Sequence, residues 1–224
     1  AISEAHYRRC GYLVAAHTPK AFRDAAAAFE WQRDAFGAHG AAPLAPQAFA
    51  ERAGTRAFHR GIDYPFGGGI HPLNYVRGLA KAATKLGIAV FENSPALRIE
   101  ETASGVRVET AKGSITAKQV IYASNAYATG GVAGTAYERS VVPFRSAVLA
   151  TAPLPADVIA GILPSGRMLW DTKRGLRWCR AVGDRFIFGG RGPVGTGASK
   201  TTCTRCFRRR AGLPSTSAGR ASWR

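Results

Sequence analysis

The sequence predicts a mixed α/β (α+β) fold in two parts, and three observations carry that prediction. Residues 67–94 spell out one punctuated amphipathic helix running into an apolar segment. Residues 96–123 alternate apolar and polar positions between short turn sequences, the pattern of a β-meander. From Arg139 onward the turns thin out and longer apolar strands take over, which reads as a second, antiparallel sheet.

In chain order, residues 10–16 (C-G-Y-L-V-A-A) form a short apolar run and read as a strand. Thr18-Pro19 is an N-cap followed by proline at the first helical position, and it opens an alanine-rich helix to about Gly37. Phe22, Ala25, Ala26, Phe29 and Phe36 give that helix an apolar stripe. Residues 40–46 are a linker, 46–53 a shorter helix, and 57–69 a loop with a turn at 63–69. His59 in that loop reads as a surface or turn histidine, since nothing adjacent would tune it.

The central helix has Gly67, Gly68 and Gly69 turning the chain before it and Pro72 at its start. Leu73, Val76, Leu79, Ala83 and Leu86 recur at helical spacing, and Gly87 stops it. Strands follow at 88–91, 96–101, 105–110, 114–116 and 119–123, separated by N-S-P, T-A-S-G and A-K-G. The last of these is apolar throughout, as a strand buried on both faces would be, and ends in small polar residues. Beyond a boundary near 130–137, strands are expected at 140–150, 168–172, 176–181 and 185–189, with a short helix at 153–163. Helix, strand, meander and buried strand is the order found in the second half of many dinucleotide-binding domains.

Composition narrows the functional classes. With 224 residues the chain can bury one large core or two small ones. No apolar run approaches the eighteen or so residues of a membrane span. No leader pattern is seen, so the default placement is cytoplasmic, and the start at Ala1, with Met168 as the only methionine, reads as a cut end. A net charge of +17 raises a nucleic-acid partner, but the basic residues of the body are scattered among acids and are not clustered with aromatics on one element. That leaves a basic nucleic-acid-binding module as the alternative reading and a small-molecule partner as the preferred one.

The four cysteines, Cys10, Cys179, Cys203 and Cys206, are too few for a disulfide framework. Cys203-x-x-Cys206 is half a zinc motif without a second half, so no metal is expected. Residues 198–224 contain Lys200, Arg205, Arg208, Arg209, Arg210, Arg220 and Arg224 and no acid, and their periodicity is lost. They read as an out-of-frame translation of GC-rich DNA or a disordered basic arm.

With 67–75, 92–98, 124–127 and 188–191 in view, the chain resembles the FAD-dependent oxidoreductases of the D-amino acid oxidase (DAO) family. The likeness is to the branch of glycine oxidase, sarcosine oxidase and gamma-glutamylputrescine oxidoreductase, and it covers about residues 7–197. The resemblance implies an internal piece of such a protein. Residues 1–66 would begin a substrate subdomain with connecting helices. Residues 67–130 would form the second part of a split, Rossmann-like FAD-binding domain, and 131–197 an antiparallel substrate subdomain. It also implies oxidation of an amine or amino acid at its C–N bond by hydride transfer to FAD, with hydrolysis of the resulting imine; a non-catalytic remnant is the other outcome for a piece of this kind.

On the same resemblance Gly68, Gly69 and Pro72 belong to the loop entering the flavin region. Ala96 falls where a backbone meets the adenine, and Ser124 and Asn125 form the turn beside the dinucleotide. His71 and Arg191 are the candidate substrate-binding residues, the arginine as a bidentate partner for a carboxylate. No catalytic residue is assigned. The phosphate-binding G-x-G-x-x-G of the family would lie outside this chain. The literal match at Gly190, Gly192 and Gly195 is interrupted by Pro193 and opens no helix. Substrate identity, electron acceptor and oligomeric state are not written in the residues.

Overall fold

The computed structural model describes residues 2–37, 40–125, 127, 132, 141 and 146–191. It divides into two units, one of residues 1–75 with 145–224 and one of residues 76–144.

The first unit is built on a seven-stranded sheet. Its strands are β1 (Tyr12–Ala16), β2 (Ala42–Leu44), β3 (Arg60–Tyr64), β7 (Ser146–Ala150), β8 (Met168–Asp171), β9 (Arg177–Val182) and β10 (Arg185–Arg191), in the order β2-β3-β1-β8-β9-β10-β7. Every pairing is antiparallel except β1 with β8, where Tyr12 lies opposite Met168 and Ala15 opposite Asp171. The antiparallel sheet expected of residues 131–197 is therefore mixed, because β1, from the start of the chain, inserts beside β8.

β1 shows why its apolar run is continuous. Leu13 and Ala15 enter one core with Phe49, Ala53, Ile162, Leu169, Cys179, Phe186 and Phe188. Val14 enters the other with Phe29 and Ile62, so alternate residues serve opposite faces of one buried strand. Phe49 and Phe186 are both 1% exposed, and each buried ring contributes about 1.5–3 kcal/mol.

Among the described residues three α-helices belong wholly to this unit. α1 (Pro19–Phe36) begins where the sequence placed it: the Thr18 hydroxyl accepts the Ala21 N–H at 3.1 Å, and Gly37 closes it in the left-handed region at φ 62°. Its buried stripe runs through Phe22, Ala25, Ala26 and Phe29 but omits Phe36. Phe36 is 72% exposed and meets Trp31 edge-on, with ring centroids 5.5 Å apart. α2 (Pro46–Ala53) matches its expected limits, and α4 (Ala156–Gly161) falls within the expected 153–163.

The expected loop at 57–69 contains β3, one strand in from the sheet edge. Glycine and aspartate disguised it. Gly61 is required because a Cβ there would strike the Phe49 ring and the Val14 carbonyl, and Asp63 is buried by ion pairing. The linker at 40–46 likewise supplies the edge strand β2, whose Pro43 lacks the N–H that an interior strand would need.

α3 (Pro72–Lys85) crosses the division between the units after Tyr75. The second unit also holds the meander β4 (Ala96–Thr102), β5 (Gly105–Thr110) and β6 (Gly113–Ala117), a three-stranded antiparallel sheet. Two expected strands are absent from it. Residues 88–91 form none, with Phe91 66% exposed, and residues 119–123 form none, with Ile121 92% exposed. An all-apolar segment becomes a buried strand only when strands pair beside it, and among the described residues none does. The expected strand at 140–150 is seen at Ser146–Ala150, and residues 140 and 142–145 lie outside the described set.

Candidate functional site

The site begins with an irregular pairing. Residues 5–11 run antiparallel to residues 67–71: the Arg8 N–H donates to Gly69 at 2.9 Å and the Gly69 N–H to Arg8 at 3.0 Å. The His71 N–H donates to Ala5 at 2.7 Å, and the Gly11 N–H to Gly67 at 3.2 Å. Gly68 must be glycine because a Cβ would run into the Arg8 carbonyl and lie 2.8 Å from the Tyr7 ring. Close approach of two backbones explains this residue without any ligand.

Beside that pairing lies a cavity of about 330 Å³ lined by His6, Arg8, Cys10, His71, Met168 and Arg180 among others. Gly69 keeps it open: a Cβ there would stand 3.0 Å from Arg180 Nη1 and 3.4 Å from Met168 Sδ. The half-buried Arg180 projects from β9, and its Nη1 donates to the Ile70 carbonyl at 3.0 Å. Arg8 Nη2 donates to the Gly166 carbonyl at 3.2 Å. Among the described residues no carboxylate lines the cavity.

His71 caps α3. Its carbonyl accepts the Tyr75 N–H at 3.0 Å, and its Nδ1 accepts the Asn74 N–H at 3.3 Å. A backbone N–H only donates, so Nδ1 carries no proton in this arrangement and Nε2 is the ring's N–H. Asn74 in turn donates from Nδ2 to the Glu4 carbonyl at 2.9 Å, tying the helix start to the chain's first turn.

The wall at Cys10 is braced from behind. Arg167 Nη1 donates to the Cys10 carbonyl at 2.9 Å, while its Nε forms an ion pair with Asp63 Oδ1 at 2.8 Å. Arg52 meets the same carboxylate at Oδ2. Asp63 is only 6% exposed, so two guanidiniums compensate its lost hydration.

Of the residues singled out from sequence, Gly69 and His71 line the cavity. Gly68 and Pro72 flank it in the chain, the latter as the first residue of α3. Arg191 ends β10, its backbone opposite Ser146, and its side chain lies outside the description. Ala96, Ser124 and Asn125 fall in the other unit. Ala96 opens β4 opposite Thr110, just before an irregularity in the pairing. Ser124 Oγ is buried without a hydrogen-bond partner, and Asn125 is left-handed at φ 51°. An orphaned buried hydroxyl beside a left-handed residue is what a turn meeting a polar ligand leaves behind, so Ser124 fits the polar edge of a dinucleotide.

Sequence reasoning missed Arg8, Arg180 and the Asp63–Arg167 pair. The alternation in W-C-R-A-V was the available signal, since burying Cys179 in the core puts Trp178 and Arg180 on the other face of β9. Cys203, Cys206 and residues 192–224 lie outside the described residues; Gly190, the first glycine of the literal G-x-G-x-x-G, sits in strand β10. Among the described residues no group of His, Cys, Asp and Glu could hold a metal ion, and no helix is long and apolar enough to cross a membrane.

A mixed sheet flanked by helices, with a small cavity beside a glycine-rich turn, defines an α/β protein. The chain belongs to the DAO family of FAD-dependent oxidoreductases, whose model matches residues 1–211. It is 36% identical over 125 residues to a probable oxidoreductase OrdL of Haemophilus influenzae, covering 54% of this chain and 29% of that protein. It is 38% identical over 125 residues to the gamma-glutamylputrescine oxidoreductase of Escherichia coli, covering 55% of this chain and 29% of the relative. The fold is similar to that of glycine oxidase from Geobacillus kaustophilus, with a TM-score of 0.70 at 16% identity over 91% of this chain and 56% of that one. The chain thus spans well under two thirds of the relatives it matches.

Proposed function

We propose that this chain carries the substrate cavity and part of the FAD-binding region of a flavoenzyme that oxidises an amino acid or related amine at its C–N bond. The observation that carries the proposal is the cavity beside Gly69, lined by Arg180 and His71 with no acid among the described lining residues. Ala96, Ser124 and Asn125 are the residues of the 76–144 unit that would meet the dinucleotide, and Gly68, Gly69 and Pro72 those of the other unit that would meet the flavin. When bound, FAD supplies the hydride acceptor.

The chain's own residues supply binding and orientation. Arg180, anchored at Ile70, offers its remaining N–H donors to the substrate carboxylate. The surrounding positive charge favours loss of the proton from the substrate ammonium, and an uncharged nitrogen is needed before its neighbouring carbon can release a hydride. The Nε2–H of His71 is a further donor to the bound molecule. Ile70 and Met168 give the cavity apolar wall.

The test is to purify the protein, add FAD, record the flavin absorbance and follow its bleaching anaerobically with a panel of amino acids and amines. Flavin absorbance bleached by one of them, and lost or slowed in Arg180→Gln, is the expected result. A protein that includes the phosphate-binding segment and retains no flavin absorbance once unbound FAD has been removed would refute the proposal.

A further inference from the structure

The outer edge of β7 is open. Among the described residues β7 pairs with β10 alone, and Ser146, Val148 and Ala150 are exposed, Val148 by 50%. Beyond the strand the Thr151 N–H donates to the Phe186 carbonyl at 3.0 Å, in register with the β7–β10 ladder. Backbone groups alternate sides along a strand, so Ala147 and Leu149 also turn theirs toward β10, whereas Ser146, Val148 and Ala150 aim their N–H and C=O groups outward. Those outward groups have no ladder partner among the described residues.

The other edge strands are guarded. A proline or a charge blunts stray pairing, and β2 carries Pro43 while β4 carries Arg98, Glu100 and Glu101. β6 is uncharged, but Lys112 and Lys118 flank it, so two copies paired antiparallel about Ile115 would set lysine opposite lysine at both ends. β7, Ser-Ala-Val-Leu-Ala, has neither device. Its neighbours in sequence, Arg145 and Thr151, hold a single charge between them, and the corresponding pairing brings no like charges together.

We propose that the β7 edge docks a second copy of this chain, paired antiparallel about a two-fold axis at Val148. Val148 then faces its own counterpart, and Ser146 of each copy faces Ala150 of the other. Every outward N–H and C=O of the strand gains a partner in this register. The exposed face also extends an apolar row. The Trp178 ring lies over Gly189, the register partner of both Trp178 and Val148, and pairing adds a second valine beside the first. Two-fold pairing uses the same edge of both copies, so it closes at a dimer instead of growing into a fibre.

Sedimentation equilibrium of the full chain between about 5 and about 500 µM tests it, in about 0.3 M salt to screen repulsion between copies of net charge +17. The mass should rise from one chain to two and no further. Val148→Pro removes an outward N–H and leaves the inward bonds of its neighbours in place, so it should weaken the dimer at least about tenfold while keeping the urea midpoint. Val148→Lys, which sets two charges against each other at the axis, should weaken it likewise. Hydrogen exchange of the unmodified chain decides the matter even where a variant folds poorly: the amides of Ser146, Val148 and Ala150 should gain at least about fivefold protection over the same concentrations. A chain that stays single throughout would overturn the proposal and leave the edge to a strand of another protein. So would a dimer or larger assembly that both variants leave intact, or amides whose exchange does not change with concentration.

Discussion

Arg167 holds the buried carboxylate of Asp63 through two nitrogens, Nε 2.8 Å from Oδ1 and Nη2 3.3 Å from Oδ2. The remaining Nη1 grips the Cys10 carbonyl, so one guanidinium links the interior of β3 to the cavity wall. Asp63→Asn keeps the shape but removes the charge facing Arg167 and Arg52. It should cost roughly 3 kcal/mol in urea unfolding, at the low end for a broken buried pair because Arg52 is half exposed. A loss below about 1 kcal/mol would show that the network is solvated and contributes little.

The His71 cap makes a separable prediction. His71→Ala should lower thermal stability by about 1 kcal/mol, and His71→Asn, whose side chain can accept the Asn74 N–H, should restore it. If alanine and asparagine behave alike, the ring is not capping α3.

Ser124 should respond with opposite signs in two measurements. Its buried hydroxyl has no partner, so Ser124→Ala should leave the flavin-free protein unchanged or stabilise it by roughly 1 kcal/mol. FAD affinity should fall about five- to tenfold, the worth of one hydrogen bond to a polar ligand. Destabilisation without any change in FAD affinity would remove Ser124 from the cofactor site.

Alkaline pH should weaken the fold through a pair of phenols. Tyr12 and Tyr64 are register partners on β1 and β3, with rings stacked at 4.8 Å and 9°. Burial raises the pKa of Tyr12, and burial followed by the charge of Tyr12 raises that of Tyr64, both from an ordinary value of 10.0. A raised pKa means that the folded state holds its protons more tightly than the unfolded state. The resulting stability is fully present below about pH 10 and is lost as pH rises through the folded-state values. Urea midpoints should therefore fall above about pH 10, and less steeply in Tyr64→Phe. Equal slopes in the two proteins would assign the alkaline loss to other groups.

The elements legible in the sequence are those whose signals are local. Thr18, Pro19 and Gly37 bound α1 through their own backbone preferences, and T-A-S-G and A-K-G turned the meander where expected. The elements misread depend on distant partners. β3 is a strand because Gly61 lets Phe49 and Val14 approach and because Arg52 and Arg167 neutralise Asp63. Residues 119–123 carry strand composition but have no paired neighbour among those described. In the site, His71 and Gly69 were marked by the helix start they precede, whereas Arg180 was marked only by the alternation of β9 and Arg8 bore no local mark.

By itself, then, the sequence determined the helices, the turns, the meander and the family resemblance in the glycine-rich segment before α3, because caps, turn residues and periodicity act over a few positions. Only the tertiary structure decided that β1 pairs in parallel with β8 and that Arg8 and Arg180 share one cavity across Gly69. The physical reason is range: a hydrogen-bonded turn is closed by neighbours, whereas a charged cavity is made by strands that meet only when the whole sheet assembles.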